Sequence, residues 1–135
     1  MVEIKENTEQ DNETVHSMIR QHNAKFMTEF QDYSYHIEEN GELAAGIVAE
    51  AVFDTVEVEF LCVKETCRGK GYGRTLLEYV EDRARKDGRK RILLNTYSFQ
   101  APEFYRSLGY EELLRIDPCF KDCKQYYFCK KLNES

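Results

Sequence analysis

Apolar residues recur at helical spacing near the start of the chain. They occupy positions i, i+3, i+4, i+7 and i+11 of one helix: Val15, Met18, Ile19, His22 and Phe26. The preceding segment offers three candidate N-cap residues for this helix: Thr8, Asp11 and Asn12. A short first strand is predicted still earlier, over residues 2–4.

Three apolar runs separated by turn residues follow, and they predict an antiparallel meander. The runs cover residues 33–38, 43–53 and 56–63. Asn40-Gly41 favours a hairpin between the first two runs because both residues tolerate positive φ. The third run alternates acidic and apolar residues at first and is then wholly apolar, which is typical of a central strand whose far end is buried.

The order of elements changes after the meander. A glycine-rich loop leads into an amphipathic helix that begins near Leu76 and ends at Gly88, a natural C-cap. Residues 92–94 predict a buried strand, so strand, helix and strand form a unit with parallel pairing and a right-handed crossover. Three further elements are predicted: a short helix over residues 101–108 and closing strands over residues 110–116 and 125–132.

Element order and chain length together predict one domain of mixed α+β class over residues 1–135. Its sheet is expected to be antiparallel early, parallel in the middle and antiparallel late. A chain of 135 residues fits one domain and buries enough surface for a core. In such a sheet, ligands sit beyond the carboxyl ends of the parallel strands.

The composition indicates which kinds of binding partner and which cellular compartment to expect. The formal net charge of -6 argues against nucleic acid as the main partner and favours cations such as amines. No apolar stretch approaches the roughly 20 residues that span a bilayer, and the polar N-terminus does not resemble a signal peptide, so no membrane partner is expected. Five cysteines without an export signal indicate free thiols in the cytoplasm, and no metal site is expected among them.

The glycine-rich loop at residues 68–73 carries the strongest chemical information. Glycines let several N–H groups turn toward a ligand, and the helix start that follows adds unpaired N–H groups and a positive dipole end. Such a site favours phosphate oxygens, and Arg68, Lys70 and Arg74 add positive charge. The loop has no Gly-Lys-Ser/Thr, so it is not a Walker A loop, and Arg74 replaces the third glycine of a Rossmann fingerprint. The alternative interpretation, that the loop is a plain glycine-rich turn without a ligand, is not excluded by these residues alone.

Two motifs in the same order and spacing resemble one known family. Arg68-x-x-Gly71-x-Gly73 after an apolar strand resembles the coenzyme-binding motif of the GNAT family of N-acetyltransferases. The run APEFYRSLGY at residues 101–110 resembles that family's second motif, a short helix ending in Phe-Tyr-x-x-Leu-Gly-Tyr. The resemblance implies the GNAT fold, a central mixed sheet of about six to seven strands flanked by about three to four helices. It also implies acetyl-CoA as co-substrate and no metal.

The resemblance implies which residues hold the coenzyme. Main-chain N–H groups of the loop would wrap the pyrophosphate, and the end of the third meander strand would pair with the pantetheine arm. The N–H of Cys62 would polarise the thioester carbonyl. Ser98 stands where the family often has Asn, and Asn95 lies earlier, so either residue is a candidate contact. The expected binding residues are Leu61, Cys62, Val63, Arg68, Gly69, Lys70, Gly71, Tyr72, Gly73, Arg74, Asn95 and Ser98.

The resemblance also implies the reaction and its catalytic groups. It predicts direct transfer of an acetyl group to a primary amine through a tetrahedral intermediate, with Tyr105 protonating the leaving thiolate. Glu57 matches the base of histone-type members, and Glu59 matches an acid common in small-molecule members and lies nearer the thioester. Their spacing of two places both on one strand face, where the alternative role is to attract a cationic substrate. Covalent catalysis by Cys62 is disfavoured because no histidine lies nearby in sequence.

These motifs do not specify the acceptor. A small-molecule or peptide amine is expected, and a homodimer is expected only from family habit. Acceptor specificity is expected from residues 23–35 and 117–124, whose aromatic side chains form either a partly aromatic pocket or core. Two other functions stay open: a coenzyme A-binding sensor or regulatory module without turnover, and an unrelated nucleotide-phosphate binder.

Overall fold

The computed structural model describes residues 1–26 and 30–132, and its elements largely follow the predicted order. The helices are α1 (Glu9–Asn23), α2 (Tyr72–Lys86) and α3 (Pro102–Ser107), with a 3-10 turn at Glu65–Cys67. The strands are β1 (Phe30–Asp32), β2 (Tyr35–Glu39), β3 (Glu42–Val52), β4 (Thr55–Val63), β5 (Arg91–Tyr97), β6 (Glu111–Phe120) and β7 (Cys123–Lys131).

Seven strands form one mixed sheet in the order β1-β3-β4-β5-β7-β6, and β2 also pairs with β3. The β4–β5 pair is parallel, and the pairs on either side of it are antiparallel. The crossover between these two parallel strands is made by α2, the amphipathic helix of the sequence analysis. The predicted α+β architecture is therefore confirmed, with seven strands and three α-helices among the described residues.

The core lies between α2 and one face of the sheet. On α2, Leu77 and Val80 are fully buried, and on β3 and β4 the buried residues alternate with exposed or half-buried ones. Tyr33 is also fully buried, and its hydroxyl donates a 2.6 Å hydrogen bond to Asp87 at the end of α2. Helical spacing on α2 and strand spacing on the sheet thus meet in one apolar layer.

The sheet face opposite α2, which we call the open face, carries polar and aromatic side chains. On β5, Leu94 and Thr96 are buried toward α2, so the alternating residues Asn95 and Tyr97 lie on the open face. Tyr127 pairs with Asn95 in register and therefore shares this face. The open face begins beside the cavity described below.

The N-terminal part of the chain differs from the prediction in its strands. The strand predicted over residues 2–4 is wrong, because Val2 and Ile4 are highly exposed and form no strand. Thr8 caps α1 through a capping box with Asp11, but no residue of α1 is buried. A strand that was not predicted, β1, pairs with β3. The acceptor segment predicted at residues 23–35 includes residues 27–29, which lie outside the described residues.

All five cysteines are free thiols, as the sequence analysis predicted. Within residues 1–26 and 30–132, no three His, Cys, Asp or Glu side chains come together as a group that could hold a metal ion. Across the same residues, no helix is both long enough and apolar enough to cross a bilayer.

Candidate active site

The glycine loop turns its backbone at the N-terminal end of α2. Gly69 and Gly71 have φ of +85° and +82°, a region that only glycine enters without strain. Gly71 is the N-cap residue of α2, and no side chain of the described residues caps this helix start. The N–H groups of the first turn of α2 therefore remain open to an anion, in agreement with the chemistry predicted for the loop.

A cavity of ≈ 600 Å³ opens between this loop, the end of β4 and α3. Gly73 lies between two of its walls, since a Cβ there would stand 3.6 Å from both Phe104 and Val63. The cavity is large enough for an extended organic ligand. The described residues that line it are Leu61, Cys62, Val63, Arg68, Gly69, Gly71, Tyr72, Gly73, Arg74, Phe99, Gln100, Ala101, Phe104 and Tyr105.

The side chain of Lys70 points away from this cavity. Its Nζ lies 2.9 and 3.1 Å from the two carboxylate oxygens of Glu39 on β2, and the Tyr72 hydroxyl donates to the same carboxylate. These hydrogen bonds, with that from Tyr72 the largest, lower the pKa of Glu39, and the bond to Glu39 raises the pKa of Lys70. Glu39 therefore ties down the loop on both sides of Gly71, and the positive charge expected from Lys70 is directed elsewhere.

β4 and β5 separate as they approach the cavity. They pair in parallel only from Thr55 to Glu57, opposite Arg91 to Leu93, although β4 continues to Val63. Beyond Glu57, the edge of β4 that would face β5 has no strand partner among the described residues. This separation leaves backbone N–H groups of β4 available to a ligand in the cleft, whereas the Val63 carbonyl already accepts from Arg68 Nε over 3.3 Å.

The hydrogen-bond pattern of β4 decides which backbone groups face the cleft. The Lys64 N–H donates to the Ala44 carbonyl over 2.8 Å, and Cys62 is paired in register with Gly46. Alternate residues of an antiparallel ladder direct their backbone groups to the same side, so the Cys62 N–H points to β3. The expectation that Cys62 offers its N–H to the cleft is therefore wrong by one residue, because Leu61 and Val63 offer theirs.

Tyr105 lies on α3, half-buried, in the cavity wall. Its ring contacts Phe104, Tyr110 and Phe128 at centroid distances of 5.2, 6.0 and 6.0 Å. Burial raises the pKa of the Tyr105 phenol above its ordinary value, so the hydroxyl keeps its proton at neutral pH. The ring is thus held by packing in the cavity wall.

Glu57 and Glu59 are both exposed, but their surroundings differ. Val56 and Val58 are buried toward α2, so Glu57 lies on the open face. The register passes from Val58 directly to Phe60, so Glu59 is the extra residue of a β-bulge. A bulge interrupts the two-residue alternation, and the shared face predicted from spacing alone does not carry through Glu59.

Asn95 and Ser98 do not line the cavity. The Asn95 amide oxygen accepts from Gln125 over 3.3 Å on the open face, and the Ser98 hydroxyl accepts from the Lys124 N–H over 3.1 Å. The segment after β5 instead contributes residues that the sequence analysis missed: Phe99, Gln100 and Ala101. Only their position just before the helix of the second motif could have indicated them.

The model of the acetyltransferase (GNAT) family matches residues 2–110 of this chain. The chain belongs to the GNAT acetyltransferase family. The matched range includes both the glycine loop and the Phe104-Tyr105 helix, so the GNAT resemblance inferred from these motifs is confirmed.

Individual relatives agree with this GNAT assignment. The chain is 38% identical over 78 residues to blasticidin-S acetyltransferase from Streptomyces morookaense, and this similarity spans only 57% of that relative and 57% of this chain. A crystal structure of an acetyltransferase from Bacillus cereus shares 30% identity at a TM-score of 0.82, covering 97% of this chain and 98% of that one.

Two more distant structures share the fold. The ribosomal-protein-S18-alanine N-acetyltransferase from Escherichia coli has a TM-score of 0.68 at 21% identity, covering 77% of this chain and 71% of that one. A Bacillus anthracis protein solved in complex with acetyl coenzyme A has a TM-score of 0.64 at 18% identity, covering 73% of this chain and 61% of that one. The GNAT fold predicted from the two motifs is thereby confirmed.

Proposed function

We propose that this chain is an N-acetyltransferase that moves the acetyl group of acetyl-CoA to a primary amine. One observation carries the proposal: a helix start open to anions, cleft-facing amides of β4 and the Tyr105 hydroxyl all border one cavity. GNAT membership supports acyl transfer, and the acetyl coenzyme A complex of the Bacillus anthracis protein supports the co-substrate.

The cavity suits the coenzyme from end to end. Its pyrophosphate would lie at the first turn of α2, where main-chain N–H groups and the helix dipole favour negative charge. Arg68 and Arg74 are the cationic side chains of the wall, and they would add ionic contacts. The pantetheine arm carries amides, which would pair with the Val63 N–H and the Leu61 carbonyl on the open edge of β4.

The acetyl carbonyl would then lie near the cleft-facing N–H of Leu61. A fixed N–H donor stabilises the negative charge that develops on this oxygen during attack, at no cost of reorientation. The amine nitrogen bonds to the carbonyl carbon and the carbon–sulfur bond breaks. The sulfur leaves as a thiolate, to which Tyr105 gives a hydrogen bond and then its proton.

The amine must lose a proton before it attacks, because an alkylammonium has a pKa near 10.4 and its deprotonation at pH 7 costs about 4–5 kcal/mol. Glu59 is the preferred base and Glu57 the other candidate, acting directly or through water. At about 3.3 Å per residue, Glu59 lies about 7 Å and Glu57 about 13 Å from Leu61 along β4. After attack the nitrogen loses a second proton, which balances the proton given to sulfur.

The acceptor we propose is a small-molecule or peptide amine. A relative named for blasticidin S supports the first kind, and a structural neighbour named for a protein alanine supports the second. The net charge of -6 supports a cationic acceptor over nucleic acid. Five free thiols support a reducing compartment such as the cytoplasm. A homodimer and the absence of a membrane partner stay predictions, as does the single domain over residues 1–135.

Thiol release from acetyl-CoA in the presence of an amine panel tests this function. We expect at least one amine to accelerate release and to yield its N-acetyl product by mass spectrometry. Tyr105→Phe keeps the ring packing and removes the donor, so turnover should fall by about a hundredfold or more if Tyr105 is the acid. Tyr79→Phe, an exposed tyrosine on α2, is the matched control and should leave turnover unchanged.

Two outcomes would contradict parts of this proposal. Equal turnover of wild type and Tyr105→Phe would remove the acid role of Tyr105. Tight acetyl-CoA binding without acceleration by any amine would instead favour a coenzyme-binding sensor. Thermal protection by ATP or NAD but not by acetyl-CoA would favour an unrelated phosphate binder.

A further inference from the structure

Three aromatic rings stand together where the cavity meets the open face. Tyr97 and Phe99 stack with centroids 5.5 Å apart and planes inclined by 9°. Phe120, the last residue of β6, meets each of these rings edge-on at 6.4 Å. Phe99 is 65% and Phe120 is 49% exposed, so this aromatic cluster (Tyr97, Phe99 and Phe120) is not part of the core.

The aromatic cluster stands beside the proposed point of acetyl transfer. Phe99 lines the same cavity as Leu61, and Tyr97 lies on the open face. Leu61 and Tyr97 both lie beyond the last parallel pair, Glu57 with Leu93, on the two separating strands. A molecule that reaches the cleft from the open face passes the exposed sides of these rings.

The path from the open face to the cleft also carries negatively charged side chains. Glu57 is exposed on the open face, and Glu59 is exposed at the bulge, two residues nearer to Leu61 along β4. Neither carboxylate has an ion-pair partner among the described residues. Carboxylates beside exposed rings favour a ligand that is cationic at one end and aromatic at the other.

We propose, resting on the acetyl transfer proposed above, that the acceptor is a primary ammonium carried on a flat aromatic ring. The ring packs against the exposed sides of Phe99 and Phe120, and the ammonium lies between Glu59 and the thioester. A flat ring suits this place because aromatic pairs prefer offset-stacked or edge-on contacts, which a saturated ring does not reproduce. Exposed apolar patches of this kind commonly mark ligand sites.

A pair of matched amines tests this inference: 2-phenylethylamine and 2-cyclohexylethylamine, which share the chain and differ in the ring. We expect wild type to prefer the aromatic amine by roughly three- to tenfold in kcat/KM. Phe120→Leu should reduce this preference toward one while the KM for acetyl-CoA stays unchanged, because Phe120 does not line the cavity. Phe30→Leu, at the opposite edge of the sheet and similarly exposed, is the control and should keep the preference.

Each contrary outcome points to a different error. An equal kcat/KM for the two amines, or a preference that survives both Phe120→Leu and Phe99→Leu, would overturn the aromatic acceptor. If these variants raise the KM for acetyl-CoA and leave amine preference intact, the rings serve the coenzyme and the inference falls. Acetylation of spermidine but of neither ring-bearing amine would overturn it while leaving acetyl transfer standing. If no amine accelerates thiol release, the proposed function itself fails.

Discussion

Replacing Gly71 by alanine separates the conformational role of the glycine loop from its role in binding. Gly71 has φ of +82° and a Cβ there would meet no protein atom within 4 Å, so the change adds strain without a clash. A non-glycine residue in this region costs about 1–2 kcal/mol. For a chain of 135 residues this corresponds to a fall in Tm of about 3–7 °C.

Gly88→Ala is the matched control, because Gly88 follows the other end of α2 with φ of +81° and equally open surroundings. Both variants should therefore lose similar stability. Only Gly71→Ala should weaken binding, because relaxing the strained backbone turns the N–H groups at the start of α2 away from the pyrophosphate. Loss of one or more charge-assisted hydrogen bonds predicts a rise in Kd of about tenfold or more.

Differential scanning fluorimetry and calorimetric titration with acetyl-CoA measure the two effects on the same samples. The expected pattern is a shared loss of Tm and a loss of affinity confined to Gly71→Ala. Two results would refute the reasoning: unchanged affinity in Gly71→Ala, or an equal loss of affinity in Gly88→Ala. The first would mean that backbone groups of the loop do not hold the coenzyme, and the second that affinity merely follows stability.

Three further predictions concern the surroundings of the site. Glu39→Gln loosens the loop and should raise the KM for acetyl-CoA by about two- to fivefold without changing kcat. The control Glu42→Gln should leave the KM for acetyl-CoA unchanged. A shift in kcat for Glu39→Gln would contradict a positioning role. Burial raises the pKa of Tyr105 and Tyr110, so the folded chain keeps protons that the unfolded chain loses. Stability should be intact below about pH 10 and fall above it, and urea midpoints that stay level to pH 11 would refute this. Leu77→Ala, at a fully buried position, should cost about 2–5 kcal/mol in urea unfolding, and a cost under about 1 kcal/mol would contradict its place in the core.

Local patterns in the chain were enough to predict most of the secondary structure and the glycine loop at the start of α2. The spacing of apolar residues identified α2, the turn residues Asn40-Gly41 located the hairpin, and the glycines located the open helix start. These features are properties of short segments, whose backbone preferences do not depend on distant contacts. The strand predicted over residues 2–4 failed because a strand needs a partner, and the sequence does not indicate whether one is available.

The details that decide chemistry came from tertiary structure. The bulge at Glu59 and the pairing of β4 with β3 determined that Leu61, not Cys62, offers its N–H to the cleft. Lys70 was directed away by Glu39, which is distant in sequence. Phe120 joined Phe99 only because β7 pairs with both β5 and β6 and brings their ends together. The sequence by itself predicted what kind of ligand the loop would hold, because that prediction needs only local backbone freedom and charge. Only the packed sheet decided which groups face the ligand, because direction depends on the register between strands.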